Sequence, residues 1–237
     1  MMAGPAHVIV LDLDDTLYLE RDFVRSGFAA VSARLSAEGL TDGFGDAAWA
    51  LFEDGRRGDI FNAALASLGL AVDEGLIDRI VTLYREHEPR IALQPDAARF
   101  IGQPPARCAL AILTDGHLTT QLNKVRALGL DKAGIAPIVC TGLWGRDYWK
   151  PHERGFRHIA GHFDLPAGAF TYVADNPAKD FIAPRALGWR TVQIIRPGAI
   201  HPTANPHPAD LCIESLDALT RNWIAGSGAS PAHVHAR

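Results

Sequence analysis

Three acidic residues crowd one turn near the amino terminus, at Asp12, Asp14 and Asp15. They close the run from His7 to Asp12, whose apolar and β-branched residues predict a buried strand. Acids at the end of such a strand lie at the carboxyl edge of the sheet, where open α/β folds bind ligands. Because like charges at this spacing repel, we expect a bound divalent cation to accompany them.

Three more polar motifs stand beside apolar runs farther along the chain. Thr114 to Gly116 follows a second predicted strand, Lys150 precedes a predicted helix, and Asp175 to Asp180 follows a further strand. Each motif alone has an ordinary structural interpretation, since threonines often cap helices and lysines and aspartates often lie exposed. Their joint occurrence beside strands indicates one active site.

The elements that must position these motifs alternate between strands and helices. After the first strand, apolar runs predict strands at 109–113, 136–140, 169–174, 191–195 and 210–213. Helical patterns lie between most of them, for example at 119–128, closed by Gly129, and at 153–163. This alternation predicts an α/β fold with a doubly wound, Rossmann-like parallel sheet.

One interval breaks the alternation and predicts an inserted helical cap. From 23 to about 88 no strand is evident, and helix patterns recur at 23–35, 47–52, 60–68 and 74–84. The exit segment contains prolines, which cannot continue a helix. We predict a catalytic core of residues 1–20 and 89–225, a cap of residues 21–88 and a flexible tail of residues 226–237. The proline-rich stretch 196–208 predicts an irregular loop.

Composition and charge disfavour several classes of protein. The 237 residues are 48% hydrophobic and 21% charged, with a net charge of -4, as in ordinary globular proteins. The absence of a Lys/Arg block argues against nucleic-acid and membrane-surface partners, and neither a signal peptide nor a membrane span is evident. The three widely spaced cysteines favour core thiols in a reducing compartment. We therefore expect a cytoplasmic protein, and its oligomeric state stays open.

In this order, the four motifs resemble those of the haloacid dehalogenase-like (HAD) hydrolase superfamily. They read Asp12-Leu-Asp-Asp-Thr16, Leu113-Thr-Asp-Gly116, Trp149-Lys-Pro151 and Val173-Ala-Asp-Asn-Pro-Ala-Lys-Asp180. The resemblance extends from Val8 to about Ile213, and the helical insert after the first motif is typical of subfamily I. It implies a Mg²⁺-dependent phosphatase that acts on a small phosphomonoester, such as a sugar phosphate or nucleotide.

The resemblance assigns different roles to two acids of the first motif. Asp12 looks like the nucleophile, since an ionised carboxylate can attack phosphorus and form an acyl phosphate that water cleaves. Asp14 looks like the general acid/base, which would protonate the leaving oxygen and later activate water. That role predicts that acidic neighbours raise the pKa of Asp14.

The second and third motifs resemble the groups that bind the phosphoryl oxygens. Thr114 would donate a hydrogen bond to one of them, helped by the backbone N–H groups of Asp115 and Gly116. Lys150 looks like the lysine that neutralises Asp12 and the transferring phosphoryl group.

The fourth motif resembles the metal site of the superfamily. Asp175 looks like a Mg²⁺ ligand, together with the Asp12 carboxylate and the Asp14 backbone carbonyl. Asp180 would support the metal or orient Lys150.

Basic residues of the insert could face the cleft and bind a second anionic or hydroxylated group of the substrate. The candidates are Arg21, Arg57, Arg85 and His87, although basic residues on helices are more often solvated. Asn123, Lys124 and the stretch 142–148 could line the entrance. Three aromatic residues could stack on a sugar or base, namely Trp144, Tyr148 and Trp149.

Other activities stay open on the same fold. Carbon–halogen hydrolysis is disfavoured, because it needs neither a metal nor an acid two residues after the nucleophile. A sugar-phosphate phosphomutase uses the same motifs, and a non-catalytic binding module could retain the fold. The loop at 141–146 lacks the acid that related proteins often carry there, so Lys150 could be positioned differently.

Overall fold

The structure, a computed structural model, describes residues 4–200 and 208–219. In these ranges one parallel sheet has the strand order β3-β2-β1-β4-β5-β6. Its strands are β1 (His7–Leu11), β2 (Cys108–Thr114), β3 (Ile138–Cys140), β4 (Phe170–Ala174), β5 (Arg190–Ile194) and β6 (Leu211–Ile213). The structure confirms the predicted α/β fold, and β1 lies at the point where the strand order reverses. Ligands bind at such a switch point in open α/β sheets.

Eight α-helices lie in the described part of the chain. They are α1 (Glu20–Ala37), α2 (Phe44–Glu53), α3 (Ile60–Ser67), α4 (Glu74–Glu86), α5 (Pro95–Gly102), α6 (Leu118–Ala127), α7 (Arg154–Ala160) and α8 (Ile182–Ala186). Among the described residues, none of these helices is both long enough and apolar enough to cross a membrane.

Both faces of the sheet are covered by apolar side chains. Ile9 and Leu11 of β1 belong to one buried cluster, and Val8 and Val10 belong to a second cluster on the opposite face. A strand buried on both faces is apolar at consecutive positions, which explains why β1 is recognisable from its sequence.

Helices α1 to α4 form a helical insert between β1 and β2, and this insert has a hydrophobic cluster of its own. Phe28, Phe44, Leu65 and Ile80, one from each helix, are buried in it. Helix α1 begins at Glu20, three residues before the predicted start, because the Asp15 carboxylate accepts a hydrogen bond from the Glu20 backbone N–H (2.9 Å).

The two linkers of the insert run side by side and are fixed to the core. The Gln94 backbone N–H donates to the Leu17 carbonyl (2.8 Å). The buried Arg196 guanidinium donates to the Thr16 carbonyl (2.7 and 2.8 Å) and to both oxygens of Asp96 (3.0 Å each). These bonds fix the turn that carries the acids of the first motif.

Some local predictions need correction. Strand β3 begins at Ile138 and not at 136, because Pro137 has no N–H with which to join a ladder. Of the three predicted core thiols only Cys140 is buried, whereas Cys108 is half-buried and Cys212 is exposed. The predicted tail, residues 226–237, and positions 201–207 of the predicted loop lie outside the described residues.

Candidate active site

The sheet brings six of the predicted core site residues to one cavity of about 520 Å³. Strand β1 lies between β2 and β4, so the residues after these three strands meet at one edge. Asp12, Thr114 and Asp175 all line the cavity, as do Asp14, Asp115 and Gly116. Spatial proximity of motifs more than 100 residues apart is therefore a consequence of the parallel strand order.

Asp12, the predicted nucleophile, is 4% exposed and contacts Lys150, whose Nζ lies 2.9 Å from Asp12 Oδ1. Burial raises the pKa of Asp12 to about 6, although Lys150 opposes the shift. The carboxylate is thus only partly compensated by protein charge. A bound cation would stabilise its ionised form further.

Lys150 lies between two carboxylates and is buried. Its Nζ contacts Asp180 Oδ1 (2.8 Å) as well as Asp12, and it donates to the Tyr172 hydroxyl (2.8 Å). Burial alone would lower the pKa of Lys150, but Asp12 and Asp180 raise it well above the ordinary value. Lys150 therefore stays charged and holds both acids in place.

The loop that precedes Lys150 is positioned by Asp115. The Asp115 carboxylate accepts hydrogen bonds from the Lys150 backbone N–H (3.1 and 3.2 Å) and from Thr141 Oγ1 (2.8 Å), and it contacts Lys179 Nζ (3.2 Å). The loop at 141–146 has no acid of its own, and Asp115 of the second motif anchors it instead. Lys150 reaches Asp12 despite that departure.

Asp14 has surroundings that differ from the prediction. Lys124 Nζ lies 2.7 and 3.0 Å from its two oxygens, Gln121 Nε2 donates to it at 3.1 Å, and the Tyr18 hydroxyl also donates to it. Burial alone would raise the pKa of Asp14, but Lys124 and the two hydrogen bonds lower it below the ordinary value. The expectation of a raised pKa is wrong, because a lysine on α6 and two hydrogen-bond donors outweigh the effect of burial.

The acids around Asp12 fit a divalent cation. Asp12, Asp175 and Asp180 each place a carboxylate oxygen within 4.8 Å of the others. Asp175 Oδ2 is buried and has no hydrogen-bond partner among the described residues. Burial, with the Asp12 and Asp180 carboxylates, raises the pKa of Asp175 to about 9. Such an oxygen cluster without enough positive charge is the donor set that Mg²⁺ prefers.

The predicted phosphoryl-binding segment lies at the start of α6. Thr114 Oγ1 accepts a hydrogen bond from Gln121 Nε2 (2.6 Å), and Gly116 adopts a φ of 134° that favours glycine. The chain also passes very close to Gly142, where an added Cβ would come 2.1 Å from the Gly116 carbonyl oxygen. Both glycines allow the two loops to meet beside the cavity.

The four basic residues predicted in the insert lie in different places. Arg85 lines the cavity. Arg21 pairs with Glu53 (2.7 Å), and Arg57 donates to the Phe52 carbonyl (2.8 Å). His87 is buried, with ring nitrogens near the Tyr84 carbonyl (2.7 Å) and Ser26 Oγ (3.2 Å). Substrate binding by Arg21, Arg57 and His87 stays a prediction.

The cavity also contains residues that sequence reasoning passed over. Glu20, Phe23 and Tyr84 line it from the insert, and Lys179 lines it from the fourth motif. Lys124 was expected only at the entrance and Gln121 had no predicted role, so their contacts with Asp14 were not predicted. The one sequence signal for these contacts is the spacing of positions 121 and 124, which places both side chains on the same face of α6.

Comparisons with known proteins agree with this arrangement. Residues 6–188 match the family model described as haloacid dehalogenase-like hydrolase. The glyceraldehyde 3-phosphate phosphatase of Methanocaldococcus jannaschii is 27% identical over 222 residues, which cover 89% of this chain and 94% of that protein.

Solved structures share the fold at lower identity. The HAD-hydrolase YfnB from Bacillus subtilis, solved with bound magnesium, superposes with a TM-score of 0.65 at 18% identity, covering 91% of this chain and 97% of that one. The 2-haloacid dehalogenase from Pseudomonas syringae pv. Tomato DC3000 gives a TM-score of 0.62 at 21% identity, covering 94% and 99%. With the family model matched over most of its length, this chain belongs to the haloacid dehalogenase-like hydrolase family.

Proposed function

We propose that the protein is a Mg²⁺-dependent phosphatase that hydrolyses a small phosphomonoester through a phospho-aspartate on Asp12. The observation that carries this proposal is the contact of Asp12 with Lys150 beside a cavity that Asp175 also lines, with a buried carboxylate oxygen that has no hydrogen-bond partner among the described residues. A nucleophilic carboxylate, a fixed positive charge and a metal-binding oxygen set are the parts that phosphoryl transfer needs. The phosphatase relative supports the same reaction.

Asp12 attacks phosphorus with one carboxylate oxygen. The bond from phosphorus to the ester oxygen breaks, and an acyl phosphate forms on Asp12. Lys150 lies 2.9 Å from Asp12 Oδ1, so its charge orients the nucleophile and offsets negative charge as the phosphoryl group arrives. Water then attacks the acyl phosphate and releases inorganic phosphate and free Asp12.

Asp14 moves the proton in both steps. As found here, ionised and held by Lys124, it is ready to accept a proton from the attacking water in the second step. Donation to the leaving oxygen in the first step requires a protonated Asp14. A dianionic phosphoryl group bound beside it favours that protonated form through charge repulsion.

Thr114 and the start of α6 bind the phosphoryl oxygens. The Thr114 hydroxyl accepts from Gln121, which leaves its own proton free for donation. The backbone N–H groups of Asp115 and Gly116 are the further donors proposed for this position.

The metal would be held by the Asp12 and Asp175 carboxylates and the Asp14 backbone carbonyl, with Asp180 in support. Mg²⁺ supplies positive charge against the phosphoryl oxygens when it is bound. The residues themselves keep Asp12 and Asp175 adjacent, and Asn176 N–H holds Asp180 through Oδ2 (3.0 Å). A cytoplasmic location stays a prediction from the sequence.

Carbon–halogen hydrolysis fits the site less well, although dehalogenases share the fold. That reaction needs no proton donor for its leaving group, yet Asp14 is built into the cavity with three polar partners. A phosphomutase and a non-catalytic module have no observation in their favour.

The proposal is tested by trapping the intermediate. The protein is mixed with p-nitrophenyl phosphate and Mg²⁺, quenched in acid within milliseconds and digested for mass spectrometry. We expect turnover, and one added phosphoryl group on the peptide that contains Asp12. Phosphate on another residue, or no turnover of any phosphomonoester in a broad panel, would overturn the proposal.

A further inference from the structure

The lysines and arginines at the catalytic cavity fall into two groups. Lys124 and Lys179 each have a carboxylate partner, Asp14 and Asp115 respectively, and Lys150 behind them is shared by two acids. These lysines are neutralised within the protein. Their charges serve the catalytic acids and leave little attraction for a distant part of a substrate.

Arg85 and Arg146 form the second group. Both are exposed residues on the lining of the cavity, and neither has a carboxylate partner among the described residues. Arg85 belongs to the last turn of α4 in the helical insert, whereas Arg146 follows β3 in the core. Two uncompensated guanidinium groups thus approach one cavity from its two sides.

The backbone of Arg85 and the side chain of Arg146 are held by their surroundings. Thr120 Oγ1 of α6 donates to the Arg85 carbonyl (2.9 Å), and Asn123 Nδ2 donates to the Glu86 carbonyl (3.1 Å), which docks the end of α4 on the core. The Arg146 guanidinium lies 5.6 Å from the centroid of the Trp149 ring. These contacts fix the backbone from which Arg85 extends and restrict the side chain of Arg146, which reduces part of the conformational entropy lost on binding a ligand.

Trp149 adds a donor without a partner. Its ring lines the same cavity, and its indole Nε1 is buried with no hydrogen-bond partner among the described residues. A buried N–H without an acceptor is unfavourable, so an acceptor on a ligand beside Arg146 would stabilise this region.

Building on the proposed phosphatase activity, we propose that Arg85 and Arg146 bind a second anionic group of the substrate, a carboxylate or a further phosphate. A guanidinium pairs with either anion through two parallel hydrogen bonds. A cavity of about 520 Å³ suits a substrate of a few carbon atoms that spans from Asp12 to these arginines. The preferred substrate class is therefore a small phosphorylated acid or a bisphosphate, not a phosphorylated alcohol or aldehyde.

Matched substrates test this class. Three-carbon esters that differ at one end are compared: 3-phosphoglycerate carries a carboxylate, glyceraldehyde 3-phosphate an aldehyde and glycerol 3-phosphate an alcohol. Fructose 1,6-bisphosphate against fructose 6-phosphate tests a second phosphate. We expect kcat/KM for at least one anionic member to exceed that of its uncharged counterpart by about 10-fold or more, and the pair that responds identifies the anion.

Variants locate the effect. Arg146→Gln and Arg85→Gln should each lower that selectivity ratio towards one, a loss of about 10-fold and mainly through KM, as expected when one charge-assisted pair is removed. Arg154→Gln is the matched control, because Arg154 also lies over aromatic rings, those of Trp144 and Tyr148, but does not line this cavity. Its ratio should equal that of the unchanged protein.

Two outcomes would overturn the inference: ratios near one for both substrate sets, or a ratio that both arginine variants preserve. Its failure differs from failure of the proposed function, in which no ester, including p-nitrophenyl phosphate, turns over. If no ester is turned over, calorimetric measurement of ligand binding to Asp12→Asn protein tests the anion site separately. Tighter binding of 3-phosphoglycerate than of glycerol 3-phosphate, or of fructose 1,6-bisphosphate than of fructose 6-phosphate, supports the anion site if Arg146→Gln abolishes the difference. Equal binding within both pairs contradicts it.

Discussion

Two lysine–aspartate pairs lie side by side at the end of β1, one on the sheet side of the cavity and one towards the helical insert. On the sheet side Lys150 is shared by Asp12 and Asp180, with Asp175 nearby. Towards the insert, Lys124 serves Asp14 and lies 4.2 Å from the ring centroid of Phe23 in α1. On the sheet side one lysine is shared by two aspartates, whereas towards the insert one lysine serves a single aspartate.

The consequence is visible in the two aspartates. Burial raises the pKa of Asp12 to about 6, whereas Lys124 and two hydrogen-bond donors outweigh burial and lower the pKa of Asp14. Of the two aspartates, it is therefore Asp12, on the sheet side, that lacks compensating positive charge. We infer that a cation belongs there, while the carboxylate of Asp14 is left for proton transfer.

The largest effect should come from the acid on the sheet side. Asp12→Asn should abolish turnover, because an amide neither attacks phosphorus nor supplies an anionic metal ligand. Initial rates with p-nitrophenyl phosphate and Mg²⁺ provide the measurement. Asp22→Asn, at an exposed acid of α1, is the control and should keep normal activity. Near-native turnover of Asp12→Asn would mean that another residue is the nucleophile.

Metal removal should act on the same side. Excess EDTA should suppress activity, and added Mg²⁺ should restore it. Calcium should not, because the larger ion takes more ligands and would hold the Asp12 carboxylate in a geometry unsuited to attack. Thermal unfolding gives a separate measurement, since a bound ion stabilises the folded state.

We expect Mg²⁺ to raise the Tm of the unchanged protein and of Asp22→Asn, but to have a much smaller effect on Asp175→Asn. Full activity in excess EDTA, or an equal Tm rise in all three proteins, would show that the acidic cluster does not hold a functional metal.

A smaller, selective effect is expected at Asp14. Asp14→Asn should slow esters with poor leaving groups by about 10²- to 10⁴-fold, the usual worth of general acid–base catalysis. Aryl phosphates should lose less in the first step, since their leaving groups need little protonation. The aspartyl phosphate should accumulate, because its hydrolysis also loses a base, and rapid quench with mass spectrometry would detect it. A uniform loss across leaving groups would argue against the proton-transfer role.

The smallest effect should come from Lys124, which acts through Asp14. Lys124→Met should reduce kcat for alkyl esters by about 10-fold, as expected when a charge-assisted contact that positions an acid/base is lost. In an Asp14→Asn background the same change should cost little, because the contact no longer exists. The double-mutant cycle measures this coupling. Additive losses would indicate that Lys124 contacts the substrate directly.

The sequence predicted the fold well because the signals it used are local. The apolar run of β1 is buried on both faces, and the 3.6-residue period of α6 is plain from Leu118 to Ala127. The predicted boundaries of helices and strands were less accurate. Helix α1 starts earlier than its apolar pattern because Asp15, five residues before Glu20, accepts its first backbone N–H.

What the sequence by itself determined is which side chains follow the strands, and therefore that Asp12, Thr114 and Asp175 share one edge of a parallel sheet. The tertiary structure alone decided what those side chains contact. Lys124 is 110 residues from Asp14 along the chain, and no local pattern records that its ammonium group, not an acid, is the nearest charge. Likewise, the docking of α4 on α6 places Arg85 on the cavity, whereas Arg21 of α1 pairs with Glu53 of α2. Charge balance at a site depends on distances in space, which strand and helix periodicity do not encode.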